Sequence, residues 1–128
     1  MRVLLDTHVF LWWVWDVPEL STKAKKCIAN KDNVCLLSMA SVWEMSIKSS
    51  LGKLRLDRPL DQFIPEQLAA NDFQILEIGF RPVMLVNTMP FHHKDPFDRL
   101  LAAQALSEDI AVVSADAVFT RYGVKRVW

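Results

Sequence analysis

Short runs of apolar residues recur along the chain, and each one ends at a polar residue that can start a helix. Three such runs cover residues 3–5, 34–37 and 110–113, and they end at Asp6, Ser38 and Ser114. None of these runs alternates apolar with polar residues, so both faces of each predicted strand must be buried. Strands buried on both faces are typical of parallel sheets with helices packed on each side. The pattern therefore favours an α/β fold with a central parallel sheet.

Helical spacing of apolar residues fills the segments between these strands. We expect helices over residues 9–15, 23–30, 39–51, 60–70, 81–87 and 96–108, a further buried strand over 73–76 and an edge strand over 124–127. Residues 89–96 contain two prolines and show no periodicity, which predicts a loop. A chain of 128 residues is long enough for one hydrophobic core, so we expect a single domain over 1–128.

Composition excludes two classes of protein. Hydrophobic residues make up 52% of the chain and 15 basic residues match 15 acidic ones, which excludes intrinsic disorder and a strongly basic protein that coats nucleic acid. A local basic surface is still compatible with this balance. No stretch reaches the roughly 18 uncharged apolar residues of a membrane span, so we expect a cytoplasmic protein with no membrane segment. Cys27 and Cys35 lack metal-ligand spacing, and we expect both to be buried small apolar residues.

Four acidic residues fall where the ligand crevice of a parallel sheet is expected. Asp6 and Asp116 each lie just past the carboxyl end of a predicted strand, the edge at which such sheets bind ligands. Glu44 lies almost two turns into a helix that starts at a strand end, and Asp98 lies in the first turn of the helix after the loop. If these elements converge, the four carboxylates repel one another and need protons or cations. Mg²⁺ or Mn²⁺, which prefer carboxylate oxygens, are the expected ions.

Each acid also has an ordinary structural explanation. The two acids at strand ends can cap the helices that follow them. Glu44 can pair with Lys48 one turn further along a solvated helix face. Asp95 and Asp98 can complement the dipole of the helix that starts beside them. Only the joint placement of the acids favours a shared site.

Four motifs in order resemble the PIN domain family, and within it the VapC-type toxins of bacterial and archaeal toxin-antitoxin pairs. The motifs occupy residues 4–12, 38–54, 92–105 and 112–116. The third, which reads HHKDPFDRLLAAQA, is the most specific and is similar to the signature of one VapC subgroup. The resemblance covers nearly the whole chain.

This resemblance implies a three-layer α/β/α fold around the parallel sheet and a ribonuclease that depends on Mg²⁺ or Mn²⁺. It assigns the catalytic and metal-binding positions to Asp6, Glu44, Asp98 and Asp116. The three aspartates would hold the ion directly, and Glu44 would ligate it or orient a water that attacks an RNA phosphodiester in line. Such cleavage would leave 5′-phosphate and 3′-hydroxyl ends. Ser114, Asp95 and Arg99 are supporting candidates, with Ser114 at a position where a hydroxyl often assists the metal site.

Basic and histidine side chains near these motifs are candidates for contact with RNA. The candidates for phosphate contact are Lys48, Lys53, Arg55, Lys94 and Arg99. Each of them can equally be an ordinary solvated cation. His92 and His93 are adjacent rather than one helical turn apart, which argues against a zinc site. We expect them to be loop residues near the substrate or simply on the surface.

Trp12, Trp13 and Trp15 crowd one short helix, and a single helical face cannot bury all three. We expect at least one of them to be exposed or covered by a partner. A partner interface is the favoured explanation, and a division between the core and a shallow surface groove is the alternative. The family resemblance implies two partners, a second copy in a homodimer and a cognate antitoxin protein, one segment of which blocks the active site.

Two other functions stay open at this point. One is a PIN-fold module that binds RNA or acts as a scaffold without cleavage, although the presence of all four acids argues against it. The other is a DNA nuclease that uses the same acidic site, because metal-assisted hydrolysis does not require the 2′-hydroxyl of RNA. The sequence does not separate the RNA nuclease from the DNA nuclease.

Overall fold

A five-stranded parallel sheet forms the centre of the molecule in a computed structural model that describes residues 1–128. Its strands are β1 (Arg2–Leu5), β2 (Val34–Ser38), β3 (Gln74–Leu76), β4 (Ala111–Val113) and β5 (Arg126–Val127). They lie in the order β3, β2, β1, β4, β5, so the first strand is the central one. All four pairings are parallel, which confirms the α/β class and the parallel sheet predicted from the sequence.

The strands are connected by seven helices, none of which has the length and apolar character required to cross a membrane. The helices are α1 (Thr7–Trp15), α2 (Thr22–Ala29), α3 (Met39–Ser50), α4 (Leu60–Asn71), α5 (Phe80–Thr88), α6 (Pro96–Glu108) and α7 (Val118–Arg121). All six predicted helices are present. The sequence does not predict α7, because four residues are too few to show helical periodicity. The predicted edge strand over 124–127 is shorter in the structure, since only Arg126 and Val127 pair with β4.

Hydrophobic clusters cover both faces of the sheet, which makes three layers. On β1, Val3 and Leu5 point into one cluster together with Phe10 of α1. Leu4 points into the other cluster together with Leu101 of α6. All five of these residues are completely buried. The central strand is therefore enclosed on both sides, as its uninterrupted apolar sequence predicts.

A buried polar contact joins α6 to the sheet. Gln104 is 1% exposed and accepts a hydrogen bond from the Ser38 hydroxyl at the end of β2. Its side-chain nitrogen donates to the backbone carbonyl of Glu77 at 3.2 Å. The Ser38 hydroxyl also caps α3, where it accepts the N–H of Ala40 at 3.0 Å. Because buried polar groups cost free energy unless they are paired, these contacts fix α6 relative to the carboxyl end of β2.

The two cysteines differ in burial, which corrects the prediction that both are buried. Cys35 lies in β2 and is 3% exposed, whereas Cys27 is only half-buried near the end of α2. The side-chain amide of Asn33 donates to the backbone carbonyl of Cys27 at 2.9 Å. Cys27 still packs against the margin of the hydrophobic core, so the two cysteines differ in the degree of their burial.

The three tryptophans of α1 are divided between the core and the surface. Trp12 packs against Trp128 with ring centroids 6.0 Å apart, and Trp13 donates through Nε1 to the side-chain oxygen of Asn71 at 2.9 Å. Both are half-buried, while Trp15 is 46% exposed. At least one tryptophan is thus exposed, as predicted, while Asn71 of α4 and Trp128 cover the flanks of α1.

Replacing Gln104 by leucine should destabilise the fold by about 1–3 kcal/mol, because the buried Ser38 hydroxyl and the Glu77 carbonyl lose their partner. Urea unfolding followed by circular dichroism measures this as a lower midpoint with an unchanged slope. Gln62→Leu, at an exposed position on α4, is the matched control and should change stability by less than about 0.5 kcal/mol. Equal midpoints for Gln104→Leu and the unmodified protein would contradict a structural role for the contact.

Candidate active site at the carboxyl edge of the sheet

Asp6 directly follows β1 and is held from the end of β4. Its carboxylate accepts a hydrogen bond from the Ser114 hydroxyl at 2.6 Å on Oδ2 and from the N–H of His8 at 3.3 Å on Oδ1. Asp6 therefore caps α1, as the ordinary explanation proposes, and also presents a buried carboxylate at the edge of the sheet. The Ser114 hydroxyl in turn accepts the N–H of Asp116 at 3.0 Å, so it links the two aspartates.

Glu44 is a carboxylate on α3 with a partner at each oxygen. Thr7 donates from Oγ1 to Oε1 at 2.8 Å, and Lys48 donates from Nζ to Oε2 at 2.7 Å. The predicted pair with Lys48 is thus present, but Glu44 is only 6% exposed and does not lie on a solvated face. Thr7 Oγ1 also lies 2.8 Å from the hydroxyl of Ser41. Sequence analysis assigns no role to Thr7, although a hydroxyl directly after Asp6 in the first motif is the signal that could have identified it.

Asp95 and Asp98 have different surroundings at the start of α6. Oδ1 of Asp95 accepts the N–H of Phe97 at 2.8 Å and that of Asp98 at 3.1 Å, which makes Asp95 the N-cap of the helix. The carboxylate of Asp98 instead lies 3.2 Å from Nε2 of His93. The structure thus separates the two acids of this segment, because Asp95 caps the helix while Asp98 faces the remaining carboxylates.

His93 joins Asp98 to Asp116 and is a contact that sequence analysis did not find. Its Nε2 lies 3.2 Å from an oxygen of each carboxylate, and the potential ligand atoms of the three residues all lie within 4.8 Å of one another. His92 instead packs on Tyr122 with ring centroids 4.9 Å apart. The adjacent histidines therefore face different surroundings, which agrees with the expectation that they form no zinc pair. The conformation of the loop decides which one reaches the acids, and that conformation has no periodic signal in the sequence.

The acidic side chains act on one another electrostatically. Burial raises the pKa of Asp98 from its usual 3.8 to about 8, and the negative charges of Asp6, Asp95, Glu44 and Asp116 add to this effect. The pKa of Asp6 is also raised, again chiefly by burial. The structure therefore brings all four predicted acids to one edge, where the surrounding donors do not balance their charge. Two buried and two half-buried carboxylates close to one another offer the oxygen ligands and negative charge that fit a hard divalent cation such as Mg²⁺ or Mn²⁺.

Arg99 does not reach this site, which corrects its prediction as a phosphate contact. It is 4% exposed, and its guanidinium donates to the backbone carbonyls of Val86 at 3.0 Å, Met89 at 3.3 Å and Pro90 at 2.9 Å. The ring of Phe91 covers the guanidinium at 4.1 Å. Arg99 supports the site only indirectly, by holding the loop that carries the histidines.

The sheet and its carboxylate edge belong to a known class of domain. The family model of the PIN domain matches residues 3–125, so the chain belongs to the PIN domain family, and the resemblance predicted from the four motifs is confirmed. Ribonuclease VapC22 of Mycobacterium tuberculosis is 26% identical over 117 residues, which cover 89% of this chain and 86% of that protein.

Solved structures show the same fold. VapBC2 from Rickettsia felis, determined bound to a DNA fragment from their promoter, has a TM-score of 0.73 at 14% identity and covers 100% of both chains. VapBC-1 from nontypeable Haemophilus influenzae has a TM-score of 0.67 at 15% identity, over 98% of this chain and 96% of that chain. At this level of identity the two similarities establish the architecture of the chain.

Asp98→Asn should stabilise the metal-free fold at alkaline pH. Because the pKa of Asp98 is about 8 in the fold against 3.8 ordinarily, the stability that its protonated form contributes is fully present below about pH 4 and is lost as the pH rises through 8. Asparagine has no charge to acquire over this range. We therefore expect a gain of about 1–2 kcal/mol at pH 8, or about 3–8 °C in Tm, and little gain at pH 4.

Thermal unfolding in EDTA, followed by circular dichroism across this pH range, measures the gain. Asp32→Asn is the matched control, because Asp32 is exposed and takes no part in the carboxylate edge. Its Tm should follow that of the unmodified protein at every pH. If the Tm of Asp98→Asn also followed that of the unmodified protein at every pH, the carboxylates would not destabilise one another.

Proposed function

We propose that this protein is an endoribonuclease that requires Mg²⁺ or Mn²⁺, acts as the toxin of a toxin-antitoxin pair and consists of one PIN domain over its 128 residues. The observation that carries the proposal is the meeting of Asp6, Glu44, Asp98 and Asp116 at one edge of the sheet with unbalanced negative charge. Similarity to Ribonuclease VapC22 supports RNA as the substrate and ribonuclease as the activity.

The cation would be held by Asp6, Asp98 and Asp116. Their oxygens face the carboxyl edge of the sheet, and the ring of His93 already bridges Asp98 and Asp116. A divalent cation bound there would supply Lewis-acid chemistry, which activates water and offsets the charge that develops on a phosphodiester during hydrolysis. The Ser114 hydroxyl would keep the Asp6 carboxylate in place through the hydrogen bond at 2.6 Å.

Glu44 would orient the attacking water. Thr7 and Lys48 hold its two oxygens through hydrogen bonds and so fix the direction in which the carboxylate would accept a hydrogen bond from water. In-line attack at phosphorus breaks the bond to the 3′ oxygen, so the products carry a 5′-phosphate and a 3′-hydroxyl. The exposed side chains of Lys53, Arg55 and Lys94 are the proposed contacts to the phosphates of the RNA backbone.

Asp98→Asn should reduce cleavage of total RNA at least about 100-fold in the presence of Mg²⁺ or Mn²⁺, because it removes a charged oxygen from the cation site without changing side-chain volume. Product ends are mapped by 5′-phosphate-dependent ligation, and EDTA should abolish the cuts. Asp32→Asn should cleave like the unmodified protein.

Other outcomes distinguish the alternatives. Metal-dependent cleavage of DNA in preference to RNA would favour the DNA nuclease, and RNA binding without cleavage in any metal would favour the binding module. Full activity of a folded Asp98→Asn variant would refute the assignment of the site.

Exposed apolar residues on two helices support a homodimer. They recur at helical spacing and are Trp43 and Ile47 along α3, Leu51 directly after it, and Phe80, Val83 and Met84 along α5. We call this the α3–α5 surface. Trp43 and Val83 also line a shared groove of about 190 Å³ beside Phe97. Large exposed apolar side chains around a shared groove are typical of an interaction site, so we place the second copy here rather than at the tryptophans of α1.

The double variant Trp43→Glu, Val83→Glu should be monomeric, because two buried negative charges would face their own copies across a two-fold interface. Light scattering after size exclusion distinguishes the chain mass of 14.7 kDa from twice that value. Trp15→Glu, at an exposed position on α1, should leave the dimer intact. If the unmodified protein is already a monomer, or if only Trp15→Glu loses the dimer, the α3–α5 surface is not the dimer interface.

We also propose a cognate antitoxin protein as the second partner. Solved structures with this fold include VapBC2 and VapBC-1, which supports assembly with a second kind of chain. A basic side chain from such a partner would pair with the carboxylates at the edge of the sheet and compete with the cation. Inhibition would then follow from occupation of the same negative charges that the proposed chemistry uses.

A further inference from the structure

The ring of His93 makes a contact at each nitrogen, and the two contacts differ in kind. At Nδ1 the ring receives a hydrogen bond from the backbone N–H of Asp95, with the two nitrogens 2.9 Å apart. At Nε2 it lies 3.2 Å from Oδ2 of Asp98 and 3.2 Å from Oδ2 of Asp116. The metal-binding and catalytic positions described above do not account for a histidine at this place.

The backbone contact decides which nitrogen of His93 carries the proton. A backbone N–H can only donate, so Nδ1 accepts with its lone pair and the proton of the neutral ring resides on Nε2. The Nε2–H group is then a single donor shared between the carboxylates of Asp98 and Asp116. A protonated Nε2 has no free lone pair, so the ring in this orientation is a donor to the acids rather than a metal ligand.

Residues outside the acidic cluster hold the His93 backbone in place. Its N–H donates to the hydroxyl of Tyr122 at 3.0 Å. Arg99 holds the preceding loop through the carbonyls of Met89 and Pro90, and it also donates to the Tyr122 hydroxyl at 3.4 Å. The ring is thus fixed at its backbone and at Nδ1, which keeps Nε2 directed at the two carboxylates.

We propose that His93 is a positioning residue for the divalent cation of this site. Its shared Nε2–H holds Asp98 and Asp116, which come from different segments, close enough together for one cation to contact both. His93 offers the cation no ligand of its own. This inference rests on the proposed metal-dependent function and adds to it the residue that arranges the ligands. Residues that orient metal ligands through hydrogen bonds typically change metal affinity by about 10–100-fold when they are replaced.

The tautomer of His93 is measurable on the metal-free protein. Long-range ¹H–¹⁵N correlation spectra of the ¹⁵N-labelled chain in EDTA report which ring nitrogen carries the proton. We expect the Nε2–H form for His93, whose signals are assigned by their loss in the His93→Gln variant. The Nδ1–H form would overturn the proposal, because Nε2 would then be free to act as a ligand.

Titration calorimetry with Mn²⁺ tests the effect on the cation. His93→Met and His93→Gln have side chains of similar length, and only glutamine retains an N–H donor. We expect Mn²⁺ affinity to fall about 10-fold in His93→Met and to return most of the way in His93→Gln. Gln62→Met, at an exposed position on α4, is the control and should bind like the unmodified protein. Circular dichroism verifies that each variant is folded.

Electron spin echo spectra of bound Mn²⁺ add a readout that does not depend on activity. We expect no coupling to a directly coordinated imidazole nitrogen in the unmodified protein, and such a coupling would overturn the proposal. Equal Mn²⁺ affinity in His93→Met and the unmodified protein would overturn this inference alone. Absence of Mn²⁺ binding by the unmodified protein would overturn the metal-dependent function as well, so the two failures are distinguishable.

Discussion

The pairing of β1 between β2 and β4 is the constraint on which the site depends. In this parallel register Leu5 lies beside Leu37 on one side and Val113 on the other. The residues that follow the aligned positions therefore arrive at the same edge, and they are Asp6, Ser38 and Ser114. A shift of β1 by one residue would draw the Asp6 carboxylate into a hydrophobic layer, so burial of the apolar strand sets the register. The place of the carboxylates is thus decided by residues that take no part in the chemistry.

Crowding of negative charge at that edge explains the polar side chains around it. The donors that face the acids are Ser114, Thr7, Lys48 and His93. Each donor stabilises one or two carboxylates, yet the pKa of Asp98 is still raised to about 8. Burial of Asp98 is the main cause, and the charges of four neighbouring carboxylates add to it, so a proton or a cation is needed to complete the arrangement. The proposed metal-dependent hydrolysis builds on this arrangement, whereas the proposed role of His93 rests on the contacts of its two ring nitrogens.

Arg99 and His93 show why part of the site could not be predicted. Both stand in the HHKDPFDR segment, where an arginine beside acids suggests a phosphate contact and a histidine suggests a surface loop. In the structure Arg99 is buried because the backbone carbonyls of Val86 in α5 and Pro90 in the preceding loop accept its donors, while His93 turns toward the carboxylates. Both outcomes depend on the path of a loop without periodicity. Residue type alone therefore misplaces Arg99 and leaves the contact of His93 undetected.

The sequence by itself determined the α/β class, the order of strands and helices and the position of Asp6 and Asp116 at strand ends. It did so because uninterrupted apolar runs and helical spacing are direct consequences of burial. Only the tertiary structure decided that Asp95 caps α6 while Asp98 faces the other acids, and that Thr7 reaches Glu44. These contacts join side chains whose distance and direction are set by packing between separate elements and by an irregular loop. A hydrogen bond between side chains of separate elements has no local pattern along the chain, so it is visible only once the chain is folded.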